Sequence, residues 1–318
     1  MLSAAFILSC SLGIVFGNPI HLTPEQTNVT NKRNDIGSLS NRFWGINYSP
    51  YNNDGTCIGY TGILDQMKEL SLITKRIKLY STDCNQLDYV VKAIRENNLN
   101  LEVHAGVWAT EGLNRTSREI DEIIKVMKEH NNPGIVKDVS IGNEELFKKK
   151  NITENKLIDF IKLAKSKFSS SGYGHLKVFT TEVVGFLTER VINECDIVQI
   201  NAHVMYDSEF HGIENSVGSL FERIKTISAI NPQNKLVRLG EVGYASRGSS
   251  IAHNGTLERF REFANKFTCS AKRNQQQYFY FESKDSIWKV DSDVSRSYGL
   301  YDLNFKPKID FVSMGYCT

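Results

Sequence analysis

The chain has 318 residues, long for one ordinary domain but within the roughly 250 residues plus insertions of a single β/α barrel. Hydrophobic residues make up 41% and charged residues 23%, the balance of a globular protein with a large core rather than of a disordered chain. A formal net charge of +2 leaves no electrostatic footprint for nucleic acid, so no polyanionic partner is expected.

The first seventeen residues, MLSAAFILSCSLGIVFG, form an uncharged apolar stretch ending in small or apolar residues at cleavage spacing, which reads as a signal peptide over 1–17. The run is broken by serines and is shorter than the roughly 20 apolar residues a span requires, so no membrane span is expected in the mature chain. Residues 18–33 carry Pro, Asn and Thr without apolar periodicity and end in Lys32-Arg33. They read as a short pro-segment, with an arm that is never cut as the equal alternative. The remainder, 34–318, shows no linker and is expected to be one domain.

Sequons at Asn28, Asn114, Asn151 and Asn254 agree with a secretory route and extracellular location. A fifth, at Asn47, lies in a predicted strand and should stay bare. Removing the signal takes Cys10 and leaves Cys57, Cys84, Cys195, Cys269 and Cys317, an odd number in an oxidising compartment. Cys57 and Cys84 follow consecutive predicted strands and could meet across neighbouring loops, but the pairing stays open. No Cys/His spacing resembles a zinc site, so neither metal nor cofactor is expected.

From residue 43 onward, short β-rich runs alternate with longer amphipathic ones. Strands are predicted at 43–49, 76–81, 99–108, 138–144, 176–183, 197–207, 235–244 and 277–283. Helical stripes at i, i+3, i+4, i+7 spacing lie between them: Leu87, Val90, Val91, Ile94, then Ile120, Ile123, Ile124, Met127. Others are Leu157, Phe160, Ala164, Phe168, then Val217, Leu220, Phe221, Ile224, Ile227, then Leu257, Phe260, Phe263, Phe267. Eight strand–helix repeats predict an α/β chain folded as a single (β/α)8 TIM barrel. An open doubly wound sheet uses the same alternation with fewer units. Against it, no G-x-G-x-x-G follows the first strand and no G-x-x-x-x-G-K-[ST] occurs.

Polar residues that close an apolar barrel strand are functional candidates, because such barrels carry their chemistry at the C-terminal strand ends. The fourth strand ends Gly142-Asn143-Glu144, the sixth holds Asn201, His203 and Tyr206, and the seventh carries Glu241-Val242-Gly243. The eighth ends Glu282-Ser283. Carboxylates on the fourth and seventh strands face each other across the mouth. Glycosidic cleavage needs such a pair, one protonated to serve the departing oxygen and one ionised to attack or stabilise the anomeric carbon. Taken singly, Glu144 could merely begin a solvated loop beside Lys148-Lys149-Lys150. Glu241 follows the run Leu236-Val237-Arg238-Leu239-Gly240, where an unpartnered carboxylate would be costly to bury.

Ordered blocks between about 43 and 308 resemble glycoside hydrolase family 17, in its fungal branch of secreted and cell-wall β-1,3-glucanases and glucan transglycosylases. They are Gly45-Ile46-Asn47-Tyr48-Ser49-Pro50-Tyr51, Leu79-Tyr80-Ser81-Thr82-Asp83-Cys84, the Gly-Asn-Glu of 142–144, Asn201-Ala202-His203 and the Glu-x-Gly of 241–243. Phe281-Glu282-Ser283 with Trp288-Lys289, and Tyr298-Gly299-Leu300-Tyr301-Asp302, complete them. The resemblance implies a retaining enzyme of cell-wall β-1,3-glucan, with Glu144 as acid/base and Glu241 as nucleophile. Asn143 would contact the sugar 2-hydroxyl; Tyr48, His203, Tyr206, Glu282 and Lys289 would support the central subsite. Asp83 and Trp288 would be glucan contacts, whereas Trp44 and Trp108 are as readily barrel packing. The implied partner is a β-glucan polysaccharide or oligosaccharide, met by a monomer without cofactor at the cell wall or surface. Where the family usually reads Trp-Pro after the Glu-x-Gly block, this chain has Tyr244-Ala245. Lys284 stands where an aromatic is usual and Ile287 where Pro is common. A glucan-binding or structural protein with little turnover is therefore the alternative to hydrolysis or transglycosylation.

Overall fold

A strand covered on both faces has no solvent side, so its residues are buried in runs rather than in alternation. All four residues of the strand Val198–Asn201 are buried, as are five of the six in Val237–Val242. The computed structural model describes residues 42–314 and Cys317, apart from 132–133, 149–150, 209–211 and 252. The expected signal and pro-segments, Lys32-Arg33 and Asn28 lie outside the described residues.

Eight parallel strands close on themselves. They are β1 (Ile46–Asn47), β2 (Arg76–Lys78), β3 (Glu102–Val107), β4 (Val136–Asn143), β5 (Lys177–Val183), β6 (Val198–Asn201), β7 (Val237–Val242) and β8 (Tyr278–Tyr280). Ile46 pairs with Tyr280 to complete the ring. Among the described residues the outer layer is α1 (Tyr60–Ser71), α2 (Gln86–Glu96), α3 (Leu113–Glu129), α4 (Glu154–Ser170), α5 (Glu189–Glu194), α6 (Ile213–Thr226) and α7 (Leu257–Arg273). The expected apolar stripes lie on α2, α3, α4, α6 and α7. Thr153, Thr188 and Thr256 cap α4, α5 and α7 by accepting from the N–H groups of Lys156, Val191 and Arg259. Such a cap contributes about 1 kcal/mol.

Each strand is found where the sequence predicts one, but 76–81, 197–207 and 277–283 extend past the hydrogen-bonded ladder. Their last residues belong to loops over the barrel mouth, where β-forming residue types serve the cleft instead of the sheet.

The barrel floor is closed by charge as well as apolar packing. Asp138 accepts from Arg238 Nη1 at 2.9 Å, and its other oxygen lies 2.9 Å from His104 Nδ1. Burial alone would raise the Asp138 pKa, but His104 and Arg238 outweigh it and hold the carboxylate well below its usual range. Trp44 belongs to this layer, packed beneath Arg76 and edge-on to Phe279.

Disulfides Cys57–Cys84 and Cys269–Cys317 leave Cys195 as a buried free thiol, which accounts for the odd cysteine. The first bridge joins the segments that follow β1 and β2 at the barrel mouth. Asn114, Asn151 and Asn254 are exposed, whereas Asn47 is fully buried inside β1. Among the described residues no helix is long and apolar enough to cross a membrane.

Candidate active site

The fourth strand leaves the sheet through a bulge. The pairing of β4 with β5 shifts between Ser140 and Asn143, and Gly142 at the shift takes φ +80°. A Cβ there would also lie 2.6 Å from Glu145 Cγ, so both backbone and space require glycine. Beyond it Glu144 takes φ +62°, a left-handed conformation that costs a non-glycine residue about 1–3 kcal/mol. Its N–H donates to the Thr181 carbonyl of β5 at 2.8 Å, and its carbonyl accepts from Lys148 N at 3.0 Å. On β7, Gly240 lies so close to the interior that a Cβ would stand 2.8 Å from Asn201 Oδ1 and 2.9 Å from Gln199 and Thr181.

These two strand ends bring Glu144 and Glu241 together. One oxygen of each, with a ring nitrogen of His203, lie within 4.8 Å of one another. Their surroundings differ. Glu241 is 5% exposed and saturated with donors: the Tyr80 hydroxyl at 2.9 Å on Oε1, His203 Nε2 at 2.8 Å on Oε2, and the Lys78 ammonium 3.6 Å from Oε1. Burial pushes its pKa up, but the Lys78 charge, the His203 contact and the Tyr80 hydrogen bond more than offset this. Glu241 is therefore ionised, well below the ordinary carboxylate range. Lys78 is pushed down by burial to about 8, against the pull of Glu241 and Glu144. The Glu144 side chain is more open, at 15% exposure, accepting from Asn201 Nδ2 at 2.8 Å with Lys148 Nζ 3.5 Å away. One carboxylate is fixed as an anion, and the other faces the cleft at a spacing suited to a shared reacting centre. The same three groups could offer ligand atoms to a cation, but Lys78 beside Glu241 would repel a divalent ion there.

The cleft above them encloses about 1070 Å³, the upper end of small-ligand sites and ample for several sugar units. Its walls include Trp108, Phe147, Phe281 and Trp288, with the Trp288 ring 5.0 Å from that of Tyr51. Asn143 lies at its base, its Oδ1 accepting from Asn201 at 3.3 Å and Lys78 at 3.5 Å. His203 and half-exposed Tyr206 line one side. Asp83 stands at an edge, paired with the Arg115 guanidinium. Lys289 reaches the cleft and is held from behind by buried Glu282 at 2.6 Å.

Tyr48 departs from expectation. It is 1% exposed, does not line the cleft, and donates its hydroxyl to Gln66 of α1 at 2.7 Å. Strand alternation explains this, since side chains one residue apart take opposite faces. Asn47, the inward neighbour, reaches the site instead and donates to the Tyr80 hydroxyl at 2.8 Å and the Gly240 carbonyl at 3.0 Å.

Sequence reasoning passed over Lys78 and Tyr80 on the second strand, and Arg115. A signal existed at 78: a lysine between Ile77 and Leu79 has no reason to be buried without an anionic partner. Trp108, which the sequence allows equally as packing or contact, lines the cleft. The unusual residues after Glu241 do not line it: Tyr244 is fully buried against Phe263 of α7, and Ala245 is buried as well. Lys284 ties down a neighbouring loop through the Tyr51 carbonyl at 3.2 Å.

The chain is similar to several known proteins. The glucan endo-1,3-beta-glucosidase btgC of Emericella nidulans is 25% identical over 305 residues, covering 86% of this chain and 46% of that protein. The chain thus spans about half the length of the curated relatives it matches. A glycoside hydrolase family 17 beta-1,3-glucanosyltransferase from Rhizomucor miehei superposes with a TM-score of 0.73 at 20% identity, covering 85% of this chain and 97% of that one. An active-site mutant of the same enzyme, in complex with laminaritriose, superposes with a TM-score of 0.73 at 21% identity over the same shares. At such identities the structural likeness shows the fold. The family model described as the BtgE/BtgC glycoside hydrolase domain matches residues 45–299, and the chain belongs to that family.

Proposed function

We propose that the protein is a retaining glycoside hydrolase of family 17 type acting on β-1,3-linked glucan, with Glu241 as nucleophile and Glu144 as general acid/base. The observation that carries this reading is the approach of the two carboxylates within 4.8 Å, one of them held ionised. Retaining enzymes place their carboxyl groups about 5–5.5 Å apart, whereas inverting ones leave about 6.5–9.5 Å for a water. The glucan endo-1,3-beta-glucosidase named for the btgC relative and the laminaritriose complex of a structural neighbour support the substrate class.

In the first step Glu241 attacks the anomeric carbon while Glu144 gives its proton to the departing glycosidic oxygen. Lys78, Tyr80 and His203 hold the nucleophile. Asn143, which shares Lys78 with Glu241, meets the sugar 2-hydroxyl, a contact that strengthens as charge develops. In the second step Glu144 takes a proton from the acceptor, which attacks the glycosyl–Glu241 ester and frees Glu241. Water as acceptor gives hydrolysis, and a glucan hydroxyl gives transglycosylation. Trp288, Trp108 and Asp83 supply ring faces and a hydroxyl partner for neighbouring sugar units. The two disulfides and the exposed sequons support a secreted glycoprotein working on extracellular or cell-wall glucan.

Laminari-oligosaccharides incubated with the purified protein test this reading. Products with retained β configuration are expected by NMR, along with near-complete loss of turnover in Glu241→Gln. Inverted products, binding without products, or full activity in Glu241→Gln would overturn it.

A further inference from the structure

Glu182 of β5 is fully buried and has no part in the chemistry described above. Its two oxygens accept from consecutive backbone N–H groups of the turn that follows Glu144: Oε1 from Leu146 N at 2.7 Å and Oε2 from Phe147 N at 3.3 Å. Its neighbour Thr181 accepts from the Glu144 N–H at 2.8 Å. Two adjacent residues of β5 therefore hold the backbone of Glu144, Leu146 and Phe147. That segment needs holding, because Glu144 sits at φ +62° directly after the bulge at Gly142.

We propose that Glu182 is the positioning residue for the acid/base Glu144, a clamp that keeps the post-bulge turn in the one geometry that aims the Glu144 carboxyl at the departing oxygen. Burial and two backbone hydrogen bonds are costly for a carboxyl group that serves packing alone, since an apolar side chain would fill the same space. Burial, with the nearby charges of Glu144 and Glu145, also pushes its pKa up to about 7, against the lowering effect of those two bonds. The cost makes sense if the turn it ties must not shift. Phe147 adds to the argument: fixed through its N–H, it presents its ring to the cleft and packs edge-on to Phe186, so the clamp also sets one cleft wall. A displacement of about 1 Å at a catalytic group can lower the rate about 100-fold without any contact to substrate being lost.

The inference rests on Glu144 being the acid/base, so its test separates the two. The readout is kcat/KM, which ends at formation of the glycosyl-enzyme. It is compared between a laminari-oligosaccharide, whose sugar leaving group needs a proton, and a 2,4-dinitrophenyl β-glucoside or laminaribioside, whose leaving group does not. Glu144→Gln is the reference and is expected to lose far more on the oligosaccharide. If it loses equally on both, the acid/base assignment fails, and the clamp with it. With that reference in place, Glu182→Ala is expected to lose 10- to 100-fold on the oligosaccharide and less than 3-fold on the aryl glycoside. Glu182→Gln keeps one acceptor and should fall between wild type and Ala. Equal loss on both substrates, or no loss in a variant with a wild-type melting curve, overturns the clamp. Should Glu182→Ala not fold, the same ratio measured on Glu182→Gln decides.

Discussion

Lys78 Nζ stands 3.6 Å from Glu241 Oε1 while donating to the carbonyl of Gly240, the residue just before Glu241, at 3.1 Å. A single inward lysine thus balances the buried carboxylate and fixes the backbone that carries it. Its pKa, lowered by burial to about 8, gives the pair a pH dependence with a definite sign. Above about pH 8 the ammonium loses its proton and Glu241 loses its counter-charge, so kcat/KM is expected to fall there. Lys78→Arg should move that limb to higher pH. Stability runs the other way: between about 8 and the ordinary 10.5 the unfolded chain holds a proton that the folded one has released, so this group favours folding as pH rises. A pH–rate profile unchanged in Lys78→Arg would contradict the assignment.

Tyr80 offers a second handle on the same carboxylate. Its hydroxyl donates at 2.9 Å to Glu241 Oε1, and a hydrogen bond to a charged group contributes about 1.5–3 kcal/mol. Tyr80→Phe is expected to lower kcat/KM on laminari-oligosaccharides about 10- to 100-fold. Losing a bond to the charged form raises the Glu241 pKa, so the acidic limb should shift upward, which a pH profile would detect.

Gly240→Ala tests the packing of the barrel interior. The added methyl would press on Asn201, Gln199 and Thr181, and overpacking of this kind costs about 1–3 kcal/mol. Because Asn201 also bonds Glu144, the variant is expected to lose activity along with a few degrees of melting temperature. Calorimetry beside an assay on one preparation would show whether the two losses occur together.

The Cys57–Cys84 bridge closes a separation of 27 residues near the barrel mouth. By loop-closure entropy its loss destabilises the fold by about 3–4 kcal/mol. Cys57→Ser with Cys84→Ser should lower the denaturant midpoint accordingly. Cys195→Ser should leave the disulfides unaltered, as thiol titration in denaturant would verify.

The strands were legible because their apolar runs recur with amphipathic stripes at regular intervals, and Glu144 and Glu241 stood out as acids closing such runs. Lys78 and Tyr80 were harder to see. Their importance comes from pointing into the barrel, and in the run Ile77–Tyr80 the lysine between two apolar residues is a signal only once the strand is known to be covered on both faces. The outward place of Tyr48 is hidden for the same reason, since a one-residue change of parity exchanges it with Asn47.

The sequence by itself determined the eight-unit α/β order, the two carboxylates and the family, because these depend on local periodicity and on motifs in chain order. The tertiary structure alone decided which atoms meet. The partners of Glu241 come from β2 and the segments after β2 and β6, and the backbone of Glu144 is tied by β5. Those contacts join residues at least 36 positions apart, and only closure of the barrel, with its bulges and strand parity, brings them together.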